Sequence, residues 1–173
     1  MPRAGISHEG HGTTLSPHAP REHGTNAAIV ESMRPASRRI LECIDALDVV
    51  PGTRVLEIGC GPGVAARELV RRGAQVLAID RSAVAIRQAM AGSALELATG
   101  RLRYVQASAE AFTLAPGERL LDIAVALRVG ALDGRHPEAG LRAVASIRRA
   151  LVPGGRLFID GGDPLREVSL TEG

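Results

Sequence analysis

Val55-Leu56-Glu57-Ile58-Gly59-Cys60-Gly61-Pro62-Gly63 is the stretch from which the rest of this chain can be read. Its aliphatic residues make a short buried strand, and its three alternate glycines end that strand in a turn. Val64–Arg72 follows with helical spacing, with Val64, Leu69 and Val70 inside, arginines outside and Gly73 as the stop. Glycines let the backbone turn sharply and let a ligand approach with no Cβ in the way. The helix start presents free N–H groups, and Pro62 falls where a missing N–H costs little.

Downstream the same alternation repeats. Gln75–Ile79 reads as a second strand closed by Asp80. Ser82 caps a helix that should bury Val84, Ile86 and Met90 and run to about residue 98, with a weak point at Gly92. Leu102–Gln106 and Leu121–Leu127 are the third and fourth strands, with room between them for a turn of helix and a loop. Pro137–Leu151 is a helix with Leu141, Val144, Ile147 and Leu151 on one face, and Pro153-Gly154-Gly155 leads into a fifth strand, Arg156–Ile159. Short apolar strands between helices predict an α/β fold, a Rossmann-like doubly wound and mainly parallel sheet with helices on both faces.

Upstream, Ile29, Val30 and Met33 share one helical face before Pro35, and Ile40, Leu41, Ile44 and Leu47 share another, with Pro35 in the first turn of this second piece. Cys43 sits beside that stripe as a buried structural thiol. Residues 1–24 are polar and aperiodic and read as a flexible arm. Its His8, His11, His18 and His23 match no metal-ligand spacing. Residues 25–173 then form one domain, the size expected of a single core.

Composition narrows the function. With one Tyr, two Phe and no Trp, base-stacking platforms are poorly supported. All 21 basic residues are arginine and the net charge is only +2, which reads as coding bias rather than a phosphate-binding surface, so no nucleic-acid partner is expected. Cys43 and Cys60 have no close-spaced partner, so neither a metal site nor a disulfide is predicted. No stretch of about eighteen apolar residues is present and the N-terminus lacks an apolar signal core, so a cytoplasmic protein is expected.

In an open α/β sheet the ligand lies at the carboxyl ends of the strands. Two acids stand in register with the glycines there. Glu57 lies two residues before Gly59, and Asp80 follows Gly61 by 19 residues, where a carboxylate can accept both hydroxyls of a ribose. Val64 stands where a dinucleotide fingerprint would continue with glycine, and a charged Glu57 would repel a pyrophosphate but favour a cationic ligand.

Together these residues resemble class I S-adenosylmethionine-dependent methyltransferases of the small bacterial type, over residues 27–163. The resemblance implies S-adenosylmethionine as cofactor, Asp80 on its ribose, and Glu57 supporting its amino-acid end. It implies a wider contact set of Gly59, Cys60, Gly61, Gly63, Arg81, Ser108, Ala109, Glu110 and Leu127. Ser108 stands where the family usually carries an Asp that bonds the adenine amino group; a hydroxyl can accept that bond without charge assistance.

The Asp/Asn-Pro-Pro-aromatic signature of amino-methylating nucleic-acid enzymes is missing after strand four, which points to a small-molecule acceptor. Arg128 is a candidate for an acidic acceptor group or for an ion pair with Asp133 or Asp160, and Asp133 and His136 are the nearby groups able to act as a base. No catalytic residue is assigned.

About thirteen residues follow Asp160, fewer than the family's final strands need, so a C-terminally shortened sheet with an exposed fifth strand is expected. A second copy in a homodimer or the N-terminal arm would cover that edge, or the chain is a minimal version of the fold. The competing function is a partner or regulatory subunit that binds the cofactor with little or no catalysis.

Overall fold

Strand β1 (Arg54–Ile58) carries the glycine turn directly into helix α2 (Val64–Arg71), and everything else is arranged around that unit. The computed structural model describes residues 35–130, 132, 134 and 136–170; the arm, the face of Ile29, Val30 and Met33, and Asp133 lie outside them. The other elements are α1 (Arg38–Asp45), β2 (Gln75–Asp80), α3 (Ala83–Ala91), α4 (Ala94–Ala98), β3 (Leu102–Gln106), β4 (Leu121–Ala126), α5 (Pro137–Ala150), β5 (Leu151–Asp160) and β6 (Leu165–Val168). They form one six-stranded sheet in the order β3-β2-β1-β4-β5-β6, parallel except for β6. The order reverses between β1 and β4, which places the ligand crevice above their carboxyl ends.

Two apolar layers hold the sheet. One joins Val55, Val76, Ala78 and Val125 to Ile44 and Leu47 of the first helical segment and to Ala66, Leu69 and Val70 of α2. The other joins Leu56, Ile58, Ile79 and Leu157 to Ala143, Ile147 and Ala150 of α5. Cys43 is buried in the core as expected, and burial raises its thiol pKa.

Several local expectations change. Helix α1 starts at Arg38 with Ser37 as its cap, accepting from the Ile40 amide, so Pro35 precedes the helix. The Gly92 weak point is a full break between α3 and α4. On α3 it is Ile86 and Ala89 that are buried, whereas Val84 and Met90 are exposed. On α5 the buried face is Ala143, Ser146, Ile147 and Ala150, and Leu141 is 73% exposed; small residues let the helix lie close to the sheet. Between β3 and β4 no helix forms. The segment instead lays Ala109 and Phe112 on the second layer, and the Ser146 hydroxyl bonds the Glu110 carbonyl at 3.0 Å.

The largest correction is at the C-terminus. Strand β5 begins at Leu151 and is not an edge, because β6 pairs with it antiparallel from Asp160↔Leu165 to Leu157↔Val168. A short turn suffices because Gly161 adopts φ +99° and a Cβ on Gly162 would collide with the Leu165 carbonyl. The Asp163–Pro164 peptide in that turn is cis. Among the described residues the edge on this side of the sheet is therefore β6, whose Arg166 and Glu167 are exposed, and the argument for a second copy on β5 falls away.

Candidate functional site

At the carboxyl ends of β1, β2 and β4 lies a cleft of about 490 Å³. One wall is Ile58 and Gly59 with Asp80 and Arg81; a second is Ala107, Ser108, Ala109 and Glu110; the third is Arg128, Val129, Gly130, His136 and Ala139. The chain reaches the first wall through the glycine loop, in which Gly59, Gly61 and Gly63 all have positive φ, at +68°, +52° and +75°. Amides of Gly59 and Cys60 donate to the Ile79 carbonyl at 2.8 and 3.0 Å, stitching the loop to β2. The Gly63 amide donates to the Cys60 carbonyl at 2.9 Å and Gly63 then caps α2.

Asp80 locks the two strand ends together. Its Oδ2 accepts the Gly61 amide at 2.9 Å and its Oδ1 accepts the Ser82 amide at 2.8 Å. Each carboxylate oxygen can accept more than one bond, so the fixed carboxylate still has acceptor capacity facing the cleft it lines. Ser82 also caps α3 through the Ala85 amide, as its position suggests.

Glu57 is placed differently from the expectation that it would present charge to a ligand. It is 4% exposed, faces the layer under α2, and does not line the cleft. Burial pushes its pKa up to about 8, against the opposing pull of Arg67 and the Ala66 amide. Its Oε2 has no hydrogen-bond partner. At neutral pH this carboxyl is mainly protonated, so Glu57 carries little charge with which to repel a pyrophosphate.

Arg67, expected outside, is 3% exposed and turns back to donate from Nη1 to the Pro62 carbonyl at 2.9 Å. Cys60 is also buried, its thiol pKa raised by burial.

Of the sequence-derived contact set, the fold brings Gly59, Asp80, Arg81, Ser108, Ala109 and Glu110 together around the cleft. Arg128 and His136 line it as well. Gly61 and Gly63 continue the loop but do not line the cleft, and Glu57, Cys60 and Leu127 lie among or against the apolar layer beneath. Sequence reasoning missed Val129, Gly130 and Ala139 of the third wall and the buried Arg67. An arginine following a glycine turn carries no pattern that distinguishes it from its exposed neighbours. Among the described residues no cluster of His, Cys, Asp and Glu could hold a metal ion, and no helix is long and apolar enough to cross a membrane.

The fold and cleft define a Rossmann-like α/β protein with a cleft at the sheet's switch point. Residues 55–155, more than half of the chain, match the family model for the methyltransferase domain, and the chain belongs to that family. It is 39% identical over 122 residues to a protein-L-isoaspartate O-methyltransferase of Methylorubrum populi, covering 70% of this chain and 50% of that protein. It is 37% identical over 120 residues to a ubiquinone biosynthesis O-methyltransferase of Albidiferax ferrireducens, covering 68% of this chain and 44% of that one. The chain thus spans half or less of the length of these curated relatives. Among solved structures, an S-adenosylmethionine-dependent methyltransferase of Geobacter sulfurreducens, in complex with S-adenosyl-L-homocysteine, shares the fold at TM-score 0.58 and 22% identity, covering 77% of this chain and 53% of its own.

Proposed function

We propose that this protein is an S-adenosylmethionine-dependent methyltransferase acting on a small-molecule acceptor. The observation that carries the reading is Asp80, pinned by the Gly61 and Ser82 amides at the cleft wall. A carboxylate held in this way suits two adjacent ribose hydroxyls, and the fixed glycine loop beside it leaves space for the cofactor's amino-acid end. Ser108, Ala109 and Glu110 supply the wall for the adenine. The two curated relatives are both named as O-methyltransferases, which supports the reaction class.

S-adenosylmethionine supplies a methyl group already activated by its sulfonium. What remains for the chain is to hold an acceptor in line with that carbon at roughly 3–3.5 Å. The third wall is the place for the acceptor. Arg128 stands there at φ +61°, on the cleft wall. With His136 on the same wall, this end favours an acceptor carrying an acidic group, and His136 is the group placed to take a proton from a phenol or alcohol.

The test is release of S-adenosylhomocysteine over a panel of small acceptors with and without a carboxylate. Turnover with acidic acceptors, reduced in Arg128→Ala, is expected. Cofactor binding without turnover on any acceptor would instead favour the binding-subunit reading.

A further inference from the structure

Beneath the glycine loop lies a polar pair that plays no part in lining the cleft. Tyr104 of β3, the single tyrosine of the chain, reaches under the loop so that its hydroxyl lies against Gly63. A Cβ on Gly63 would overlap that hydroxyl, would sit 2.9 Å from the Tyr104 Cζ, and would meet the Ala89 Cβ at 3.1 Å. The hydroxyl is held at 2.9 Å by Ser93 Oγ. Ser93 is fully buried, at the break between α3 and α4. Three separate parts of the chain therefore meet at one point under the loop.

The sheet register explains how a residue two strands away gets there. Tyr104 pairs with Ala78, and Ala78 pairs with Glu57, so the three form one transverse row on the layer under α2. The small side chain at Ala78 leaves room for the phenol ring to lie across β2 toward the loop. Burial raises the pKa of the phenol, so it stays protonated and is able to donate or accept at Ser93.

We propose that Tyr104, fixed by Ser93, is a positioning residue: a prop that holds Gly63, and with it the Gly59–Gly63 loop, in its ligand-binding shape. This rests on the reading that the loop holds S-adenosylmethionine, but the prop itself has a consequence in the ligand-free protein. Without the hydroxyl, Gly63 has space below it and the loop samples other left-handed and extended conformations, which glycines do at little cost. The binding shape is then only fractionally populated, and apparent affinity falls by that fraction.

The experiment compares wild type with Tyr104→Phe and Ser93→Ala, singly and together. Hydrogen–deuterium exchange of the amides of residues 59–61, 63 and 64 is read without ligand, and S-adenosylhomocysteine Kd is read by calorimetry. Faster loop exchange in both variants is expected, with Kd weakened about fivefold, the worth of one hydrogen bond. The double variant should match Tyr104→Phe, because Ser93 acts only through the hydroxyl which that variant removes. The KM for the methyl donor should rise by the same factor with kcat unchanged.

Loop exchange as slow as in wild type would overturn the proposal, as would faster exchange with an unchanged Kd. A fall in thermal midpoint with neither readout altered would show a purely structural tyrosine and would also overturn it. If wild type binds no S-adenosylhomocysteine yet the variants loosen the loop, the prop stands and the cofactor reading fails.

Discussion

Glu57 and Tyr104 lie on one transverse row of the sheet, two strands apart, with only Ala78 between them. On the other side of Glu57 the row continues through Val125 and Phe158, both buried. A carboxyl and a phenol thus sit buried under the glycine loop, with the Arg67 guanidinium and the Ser93 hydroxyl as their polar neighbours. The location accounts for the chemistry of both. Burial disfavours their charged forms, and each charge would repel the other.

A pH dependence of stability follows from Glu57. Its carboxyl pKa is raised from 4.5 to about 8 on folding, so between those values the folded state holds a proton that the unfolded state has lost. Its contribution is therefore fully present below about pH 4.5 and is lost as pH rises through about 8. Glu57→Gln, which cannot ionise, should flatten this decline in the ligand-free protein. Thermal midpoints from pH 5 to 9 should converge at the acid end, with the variant higher at the alkaline end.

Asp80 carries the largest single loss. Asp80→Asn replaces one acceptor oxygen with a donor that faces the Gly61 or the Ser82 amide, and removes the charge. Losing a charge-assisted bond of this kind costs about 2 kcal/mol, roughly thirtyfold in cofactor Kd. Calorimetry reads it directly, and an unchanged Kd would show that Asp80 does not touch the ligand.

The three glycines of the loop are not equivalent. Gly61 has φ +52° but a Cβ there meets nothing within 4 Å, whereas at Gly63 it overlaps Tyr104. Gly61→Ala should cost about 1–2 kcal/mol of stability for the left-handed backbone alone. Gly63→Ala adds an overpacking cost of about 1–3 kcal/mol. Urea unfolding of the two variants should separate them in that order.

These differences show what periodicity and motif can and cannot carry. The strand, glycine turn and helix at 54–71 and Asp80 were legible, because local spacing and a strand end define them. Arg67 and Tyr104 were not, because their roles depend on contacts across the sheet and behind the loop that no local pattern encodes. The exposed Leu141 misled for a related reason: α5 packs on its small residues, Ala143 and Ala150, which bring it closer to the sheet than a leucine face would. The hairpin at Asp160–Leu165 was missed because the length of a strand was counted and the tightness of a two-glycine turn was not.

Ser108 offers a gain-of-function check. It lines the cleft, on the wall proposed for the adenine, with a neutral hydroxyl. Ser108→Asp should add charge assistance to the adenine contact and tighten S-adenosylhomocysteine binding by about fivefold. Fluorescence-monitored competition would detect it; weaker binding would place the adenine elsewhere.

The central claim is that the cleft beside Asp80 takes S-adenosylmethionine. Calorimetric titration of the protein with S-adenosylmethionine and, separately, with NAD tests it most directly. The expected result is one-to-one micromolar binding of the methyl donor and none of NAD; micromolar NAD binding with no response to the methyl donor would contradict it.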